Sequence, residues 1–105
     1  MNFLSILFGK KDNTALENAL RNNPYLVDVR TSGEFASGSI AGAVNIPLNV
    51  LKDHLPKFQN KKNIVVFCKS GTRSAMAKAT LERNGINGVT NGGGFQNVLK
   101  VKEKL

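Results

Sequence analysis

The sequence predicts an α/β domain, a mainly parallel sheet with helices on both faces. Three observations carry that expectation. Ile64-Val65-Val66-Phe67 is a continuous apolar run, the pattern of a strand covered on both sides. Short β-rich segments alternate with segments of helical period, the order that gives crossover connections and parallel strands. The chain has 105 residues, 41% hydrophobic and 21% charged, which suits one globular domain over residues 1–105 and leaves no room for a second. A chain of this length buries roughly two thirds of the surface its unfolded form exposes, so disulfide staples are not needed. Cys68 is the only cysteine and His54 the only histidine, which excludes an intrachain disulfide and metal frameworks of repeated Cys/His pairs.

The elements follow in order. Phe3 to Phe8 is apolar, but no Lys or Arg precedes it, and it is too short for a signal peptide or a membrane span. It reads as a strand or short helix docked on the domain, in a soluble cytoplasmic protein where a lone thiol stays reduced. Thr14 to Asn22 reads as a helix, with Thr14 and Glu17 as a capping box and Leu16, Ala19 and Leu20 on one face. Asn23-Pro24 stops it. Tyr25 to Val29 is a short apolar strand, Thr31 to Ser37 a short helix ended by Gly38, and Ala43 to Ile46 a strand closed by Pro47. Asn49 caps the next helix, whose inner stripe is Leu48, Leu51, Leu55 and Phe58; His54 lies on it as a partly solvated residue. After the strand Ile64–Phe67 comes a helix from Arg73 to Asn84, with Ala77 and Leu81 inward and Gly85 at its end. Gly88 to Thr90 is a weak strand, Gly92-Gly93-Gly94 a loop, and Phe95, Val98, Leu99 and Leu105 line a last helix.

Charge narrows the function classes. Fifteen Lys and Arg against seven Asp and Glu give a formal charge of +8. That excess is either a solvated basic surface or a preference for anions: a small anionic substrate, nucleic acid or an acidic partner. Nucleic-acid modules interleave stacking aromatics with basic residues. Here the aromatics are Phe and one Tyr, mostly inside apolar runs, which argues against nucleic acid.

Parallel sheets bind ligands at the carboxyl ends of their strands, and the strand Ile64–Phe67 delivers Cys68 to that edge. The loop Cys68-Lys69-Ser70-Gly71-Thr72-Arg73-Ser74 lies between this strand and a helix. Such a loop points several backbone N–H groups at one spot, and Gly71 permits the positive φ that a curled loop needs. The helix dipole, Lys69 and Arg73 add positive charge. The expected result is an anion cradle with a sulfur at its floor, held as thiolate and so activated as a nucleophile. The plainer reading, a buried structural cysteine, does not account for the basic, glycine-bearing loop. The hydroxyls of Ser70, Thr72 and Ser74 either donate to the bound anion or cap the helix. Asp28, Arg30 and Glu34 either contact substrate at the sheet edge or form an ion-pair network fixing the first loop against the Cys68 loop; the second is preferred.

Three pieces in this order resemble the single-domain rhodanese (thiosulfate sulfurtransferase-like) family: Asp28-Val29-Arg30 with Glu34-Phe35, Gly38 through Pro47, and Val66 through Ser74. Gly92-Gly93-Gly94-Phe95 sits where the family often has a glycine-rich turn, and the resemblance spans about residues 25–98. Ser39 stands where many members have histidine, in a supporting rather than catalytic position. The resemblance implies a rhodanese-like domain with four to five strands. It implies a sulfurtransferase in which Cys68 is catalytic, Lys69, Ser70, Gly71, Thr72, Arg73 and Ser74 bind substrate, and Asp28, Arg30 and Glu34 support them. Its partners would be a small anionic sulfur donor such as thiosulfate and a thiol or protein-cysteine acceptor, with no nucleic acid, no membrane, no metal and no organic cofactor, in a monomer. A persulfide carrier serving a protein partner is the alternative. A cysteine phosphatase or arsenate reductase ranks below both, because four residues separate Cys68 from Arg73 where cysteine phosphatases have five.

Overall fold

A computed structural model describes residues 12–105. The elements are α1 (Thr14–Arg21), β1 (Tyr25–Asp28), α2 (Ser32–Ala36), β2 (Val44–Asn45), a 3₁₀ segment (Leu48–Phe58), β3 (Ile64–Cys68), α3 (Thr72–Arg83), β4 (Val89–Gly94) and α4 (Phe95–Glu103). The four strands form one parallel sheet in the order β2-β1-β3-β4. The expected segment Phe3–Phe8, and with it the question of a fifth strand, lies outside the described residues.

Alternation along β3 divides the core. Ile64, Val66 and Cys68 face one side, with Leu51, Phe58, Ala77 and Leu81 from the 3₁₀ segment and α3. Val65 and Phe67 face the other, with Leu16, Ala19, Val98 and Val101 from α1 and α4. Both faces of the sheet are thus covered, which is why all five β3 residues are buried. The period of two also sets the site: it puts Cys68 on the α3 side, at the carboxyl end of the central strand.

Several local expectations are corrected. Helix α1 has no capping box; Asn13 is its N-cap without a side-chain bond, and the Thr14 amide donates instead to Asp12 Oδ1 at 3.0 Å. Asn49 does not cap an α-helix. Leu48–Phe58 is 3₁₀, starts after Pro47, and is kinked at His54 (φ −119°). Pro56 lacks the N–H a regular helix would use and disfavours helical backbone just before it. The glycines 92–94 are strand, not loop: β4 runs to Gly94, with a bulge opposite Val66/Phe67. Inverse to expectation, Leu99 and Leu105 are 36% and 45% exposed, while Val101, three residues after Val98, fills the core.

Candidate active site

The loop after β3 is shaped around sulfur. Gly71 has φ +103°, a left-handed conformation that turns the chain into α3 at little steric cost. Its amide donates to Cys68 Sγ at 2.9 Å, and the Ser74 amide donates to the same atom at 3.4 Å. Gly71 is the N-cap of α3 and has no side chain to satisfy the third helical amide. The sulfur fills that role, so the helix start and the thiol satisfy each other. Ser70, Thr72 and Ser74 therefore do not cap the helix with their hydroxyls. Ser70 and Thr72 are exposed, while Ser74 is buried with its hydroxyl 3.4 Å from Sγ.

Cys68 is 1% exposed. Burial pushes its thiol up, but the Ser74 hydroxyl and the amides of Ser74, Gly71 and Ser70 more than offset this and hold it below the ordinary thiol value. The buried cysteine is thus not sealed in hydrocarbon: the amides aim at it.

Backbone packing closes the loop from the side. A Cβ on Gly94 would stand 2.5 Å from the Lys69 carbonyl oxygen, so only glycine lets β4 run against the loop. The Lys69 side chain belongs to an exposed residue. Arg73 projects from the first turn of α3, where both terminal nitrogens meet Glu34: Nη1–Oε1 at 2.6 Å and Nη2–Oε2 at 3.1 Å. The guanidinium, with the Thr31 amide, holds Glu34 down to about 2, and Glu34 in turn pushes Arg73 up. This bidentate pair ties α2 to the Cys68 loop.

Asp28 and Arg30 form a second, buried pair at 2.7 Å. Arg30 also donates to the Gly38 carbonyl at 2.7 Å and lies over the Phe95 ring at 4.6 Å. Ser39 donates to Asp28 Oδ2 at 2.7 Å, a support for the carboxylate, and Asn45 binds the carbonyls of Asp28 and Arg30. Arg30 and Glu34, four residues apart, thus serve two separate pairs. Sequence reasoning missed Asn91, which accepts from the Ser74 hydroxyl at 2.7 Å and from the Gly93 amide at 2.9 Å. Its only signal was a polar residue just before three glycines. Among the described residues no group of three or more His, Cys, Asp or Glu could hold a metal ion, and no helix is long and apolar enough to cross a membrane.

The chain is similar to known proteins. The family model for the rhodanese-like domain matches residues 12–100. An uncharacterized protein of Bacillus subtilis is 40% identical over 72 residues, covering 68% of this chain and 57% of that protein. A thiosulfate sulfurtransferase of Escherichia coli is 32% identical over 82 residues, covering 76% of this chain and 79% of that one. The solved structure of a human single-domain sulfurtransferase is similar with a TM-score of 0.68 and 31% identity, over 81% of this chain and 89% of that chain. The chain spans less than two thirds of the Bacillus subtilis protein, and 29% of a tRNA uridine(34) hydroxylase of Buchnera aphidicola that is 30% identical over 102 residues. On the family match and these identities, the chain belongs to the rhodanese-like domain family.

Proposed function

We propose that the protein is a sulfurtransferase that moves a sulfane sulfur from thiosulfate or a related donor to a thiophilic acceptor through a Cys68 persulfide. The observation that carries this reading is the sulfur of Cys68 at the start of α3, with the amides of Gly71 and Ser74 directed at it. Those donors favour the thiolate, which is the attacking form. In the first step the Cys68 thiolate attacks the outer sulfur of thiosulfate. The donor's S–S bond breaks, sulfite leaves with the electron pair, and the outer sulfur stays on Cys68. In the second step an acceptor thiolate attacks that sulfur, and Cys68 departs as thiolate. No net redox change occurs at the protein, and no metal or organic cofactor is needed.

Lys69, Ser70 and Thr72 are exposed residues of the loop, and on this reading they offer an anionic donor positive charge and hydroxyls. Arg73 is held by Glu34, so its part is to shape the loop and to lend the sulfur a partly compensated positive charge. This pairing, with the four-residue spacing, also disfavours a phosphatase, which needs its arginine turned to the phosphoryl group. On this reading the chain acts as one rhodanese-like domain, a cytoplasmic monomer in which the lone thiol stays reduced.

The test is intact mass after incubation with thiosulfate. A gain of about 32 Da, absent in Cys68→Ser, is expected for a persulfide on Cys68. A gain only with a protein or low-molecular-weight persulfide donor identifies a dedicated carrier instead. No gain with any sulfane donor refutes the proposal, and steady hydrolysis of an aryl phosphate replaces it.

A further inference from the structure

We propose that Asn91 is a positioning residue for Cys68: it holds the hydroxyl hydrogen of Ser74 while the sulfur is protonated and yields it to the sulfur once that proton has left. The inference rests on Cys68 being the nucleophile, as proposed above.

Hydrogen-bond accounting leads to it. The Ser74 Oγ has one hydrogen and three neighbours: Asn91 Oδ1 at 2.7 Å, the Gly71 carbonyl at 3.0 Å and Cys68 Sγ at 3.4 Å. The orientation of the Asn91 amide is fixed by its own partners. Its oxygen accepts the Gly93 amide at 2.9 Å, while its nitrogen faces the Gly71 carbonyl at 3.5 Å. Neither oxygen neighbour of Ser74 can donate, so one of them takes the hydroxyl hydrogen. The Gly71 carbonyl already has two donors, the Ala75 amide at 3.0 Å and the Asn91 nitrogen at 3.5 Å, against the single Gly93 amide on Asn91 Oδ1, which leaves Asn91 as the shorter and less occupied acceptor. A lone pair of Ser74 Oγ then faces the sulfur, and the chain reads S–H to Oγ, O–H to Oδ1.

Ionisation reverses one link. When the Cys68 proton goes to solvent, the hydroxyl turns from Oδ1 to the thiolate, while Asn91 keeps the Gly93 amide. The bond given up to Asn91 is a cost charged to the thiolate. Asn91 therefore restrains the acidity that the loop amides confer. A thiolate of lower pKa is intrinsically less nucleophilic, so this restraint preserves attacking power.

The charges already around the sulfur are the same in the wild type and in the alanine variants of the test. Arg73 comes from α3, Lys69 from the loop, Glu34 from α2, and Asp28 and Arg30 from the end of β1. The 3₁₀ segment carries Lys52, Asp53, His54 and Lys57, and the far sheet face carries the charges of α1 and α4. Strand β4 contributes none.

The experiment is the pH dependence of Cys68 alkylation by iodoacetamide, read by mass, which needs no sulfur transfer and so stands apart from the thiosulfate test. Asn91→Ala is expected to move the midpoint down by about half a pH unit, because the hydroxyl then gives up only its longer bond to the Gly71 carbonyl, which the Ala75 amide already occupies, when it turns to the thiolate. Asn91→Asp, a stronger acceptor that also adds a negative charge near the sulfur, should move it up, and only the part carried by the acceptor passes through the Ser74 hydroxyl. A merely structural role would loosen the loop amides and raise the midpoint in both. In a Ser74→Ala background the Asn91→Ala shift should vanish. A midpoint that rises or stays fixed in Asn91→Ala, or a shift that survives without the Ser74 hydroxyl, overturns the proposal. Should Asn91→Ala fail to fold, the rise in Asn91→Asp must shrink when Ser74 is alanine, and an undiminished rise overturns it equally.

Discussion

Asp28 and Arg30 show how a single charged residue becomes structural. Asp28 is fully buried and Arg30 is 5% exposed, and neither side chain leaves a buried polar atom without a partner: the guanidinium has the carboxylate and the Gly38 carbonyl, the carboxylate also has the Ser39 hydroxyl. Removing one member leaves the other buried and uncompensated. Asp28→Ala is therefore expected to cost about 3–5 kcal/mol of folding stability, far more than a surface ion pair would. Urea denaturation measures this directly; a loss below about 1 kcal/mol would show that Arg30 finds solvent or another acceptor without rebuilding the core. If the loaded persulfide fraction of the folded variant matched wild type, the pair would be confirmed as a support of the loop rather than a contact for the donor.

At the scale of elements, the decisive contact is that of β4 with the Cys68 loop. Gly94→Ala sets a Cβ against the Lys69 carbonyl, a backbone atom that cannot swing aside. The loop must shift, and with it the Gly71 and Ser74 amides. The expected outcome is a loss of roughly 1–3 kcal/mol of stability, a higher alkylation midpoint for Cys68 and slower persulfide loading. Gly33→Ala in α2 is the control: its Cβ meets nothing within 4 Å, so the midpoint and the loading rate should stay at wild-type values while stability holds or rises by about 0.4–1 kcal/mol. A Gly94→Ala protein with an unchanged midpoint would mean that the loop holds its shape without β4. The same strand marks where the sequence was legible and where it was not. Ile64–Phe67 announced itself through side chains, and the loop through its Cys, Gly and Arg at fixed spacing. Gly92–Gly94 carried no side-chain period to read; only the closeness of Lys69 and Val98, a tertiary fact, explains why glycine stands there in a strand. For the same reason Asn91 went unseen, since its partners Ser74 and Gly71 lie 17 and 20 residues away. The 3₁₀ course of Leu48–Phe58 was masked by an apolar stripe that fits either helix, although Pro47 and Pro56 were visible.

For the whole molecule, charge and pH act through the link between α2 and α3. The chain carries +8 at neutral pH, and acid adds to this as seven carboxylates protonate, so self-repulsion grows in any variant. The Glu34–Arg73 pair adds a specific contribution. Glu34 titrates near 2 in the folded state against an ordinary value of 4.5, so between these values the unfolded chain binds the proton more readily. Stability from this group is complete above about pH 4.5 and drains away as the pH falls toward about 2. Asp12, lowered by the Thr14 amide, drains in the same direction but is untouched by a change at Glu34. Glu34→Gln removes the charge while keeping the shape of the capping residue. Wild type should melt higher than this variant at neutral pH, and the two melting curves should converge on acidification to about pH 2. The gap at neutral pH should also shrink in high salt, because both partners are about a third exposed. A gap that stayed constant across the whole pH range would mean that the ionisation of Glu34 contributes nothing to stability, and that α2 and the Cys68 loop are joined by packing rather than by charge.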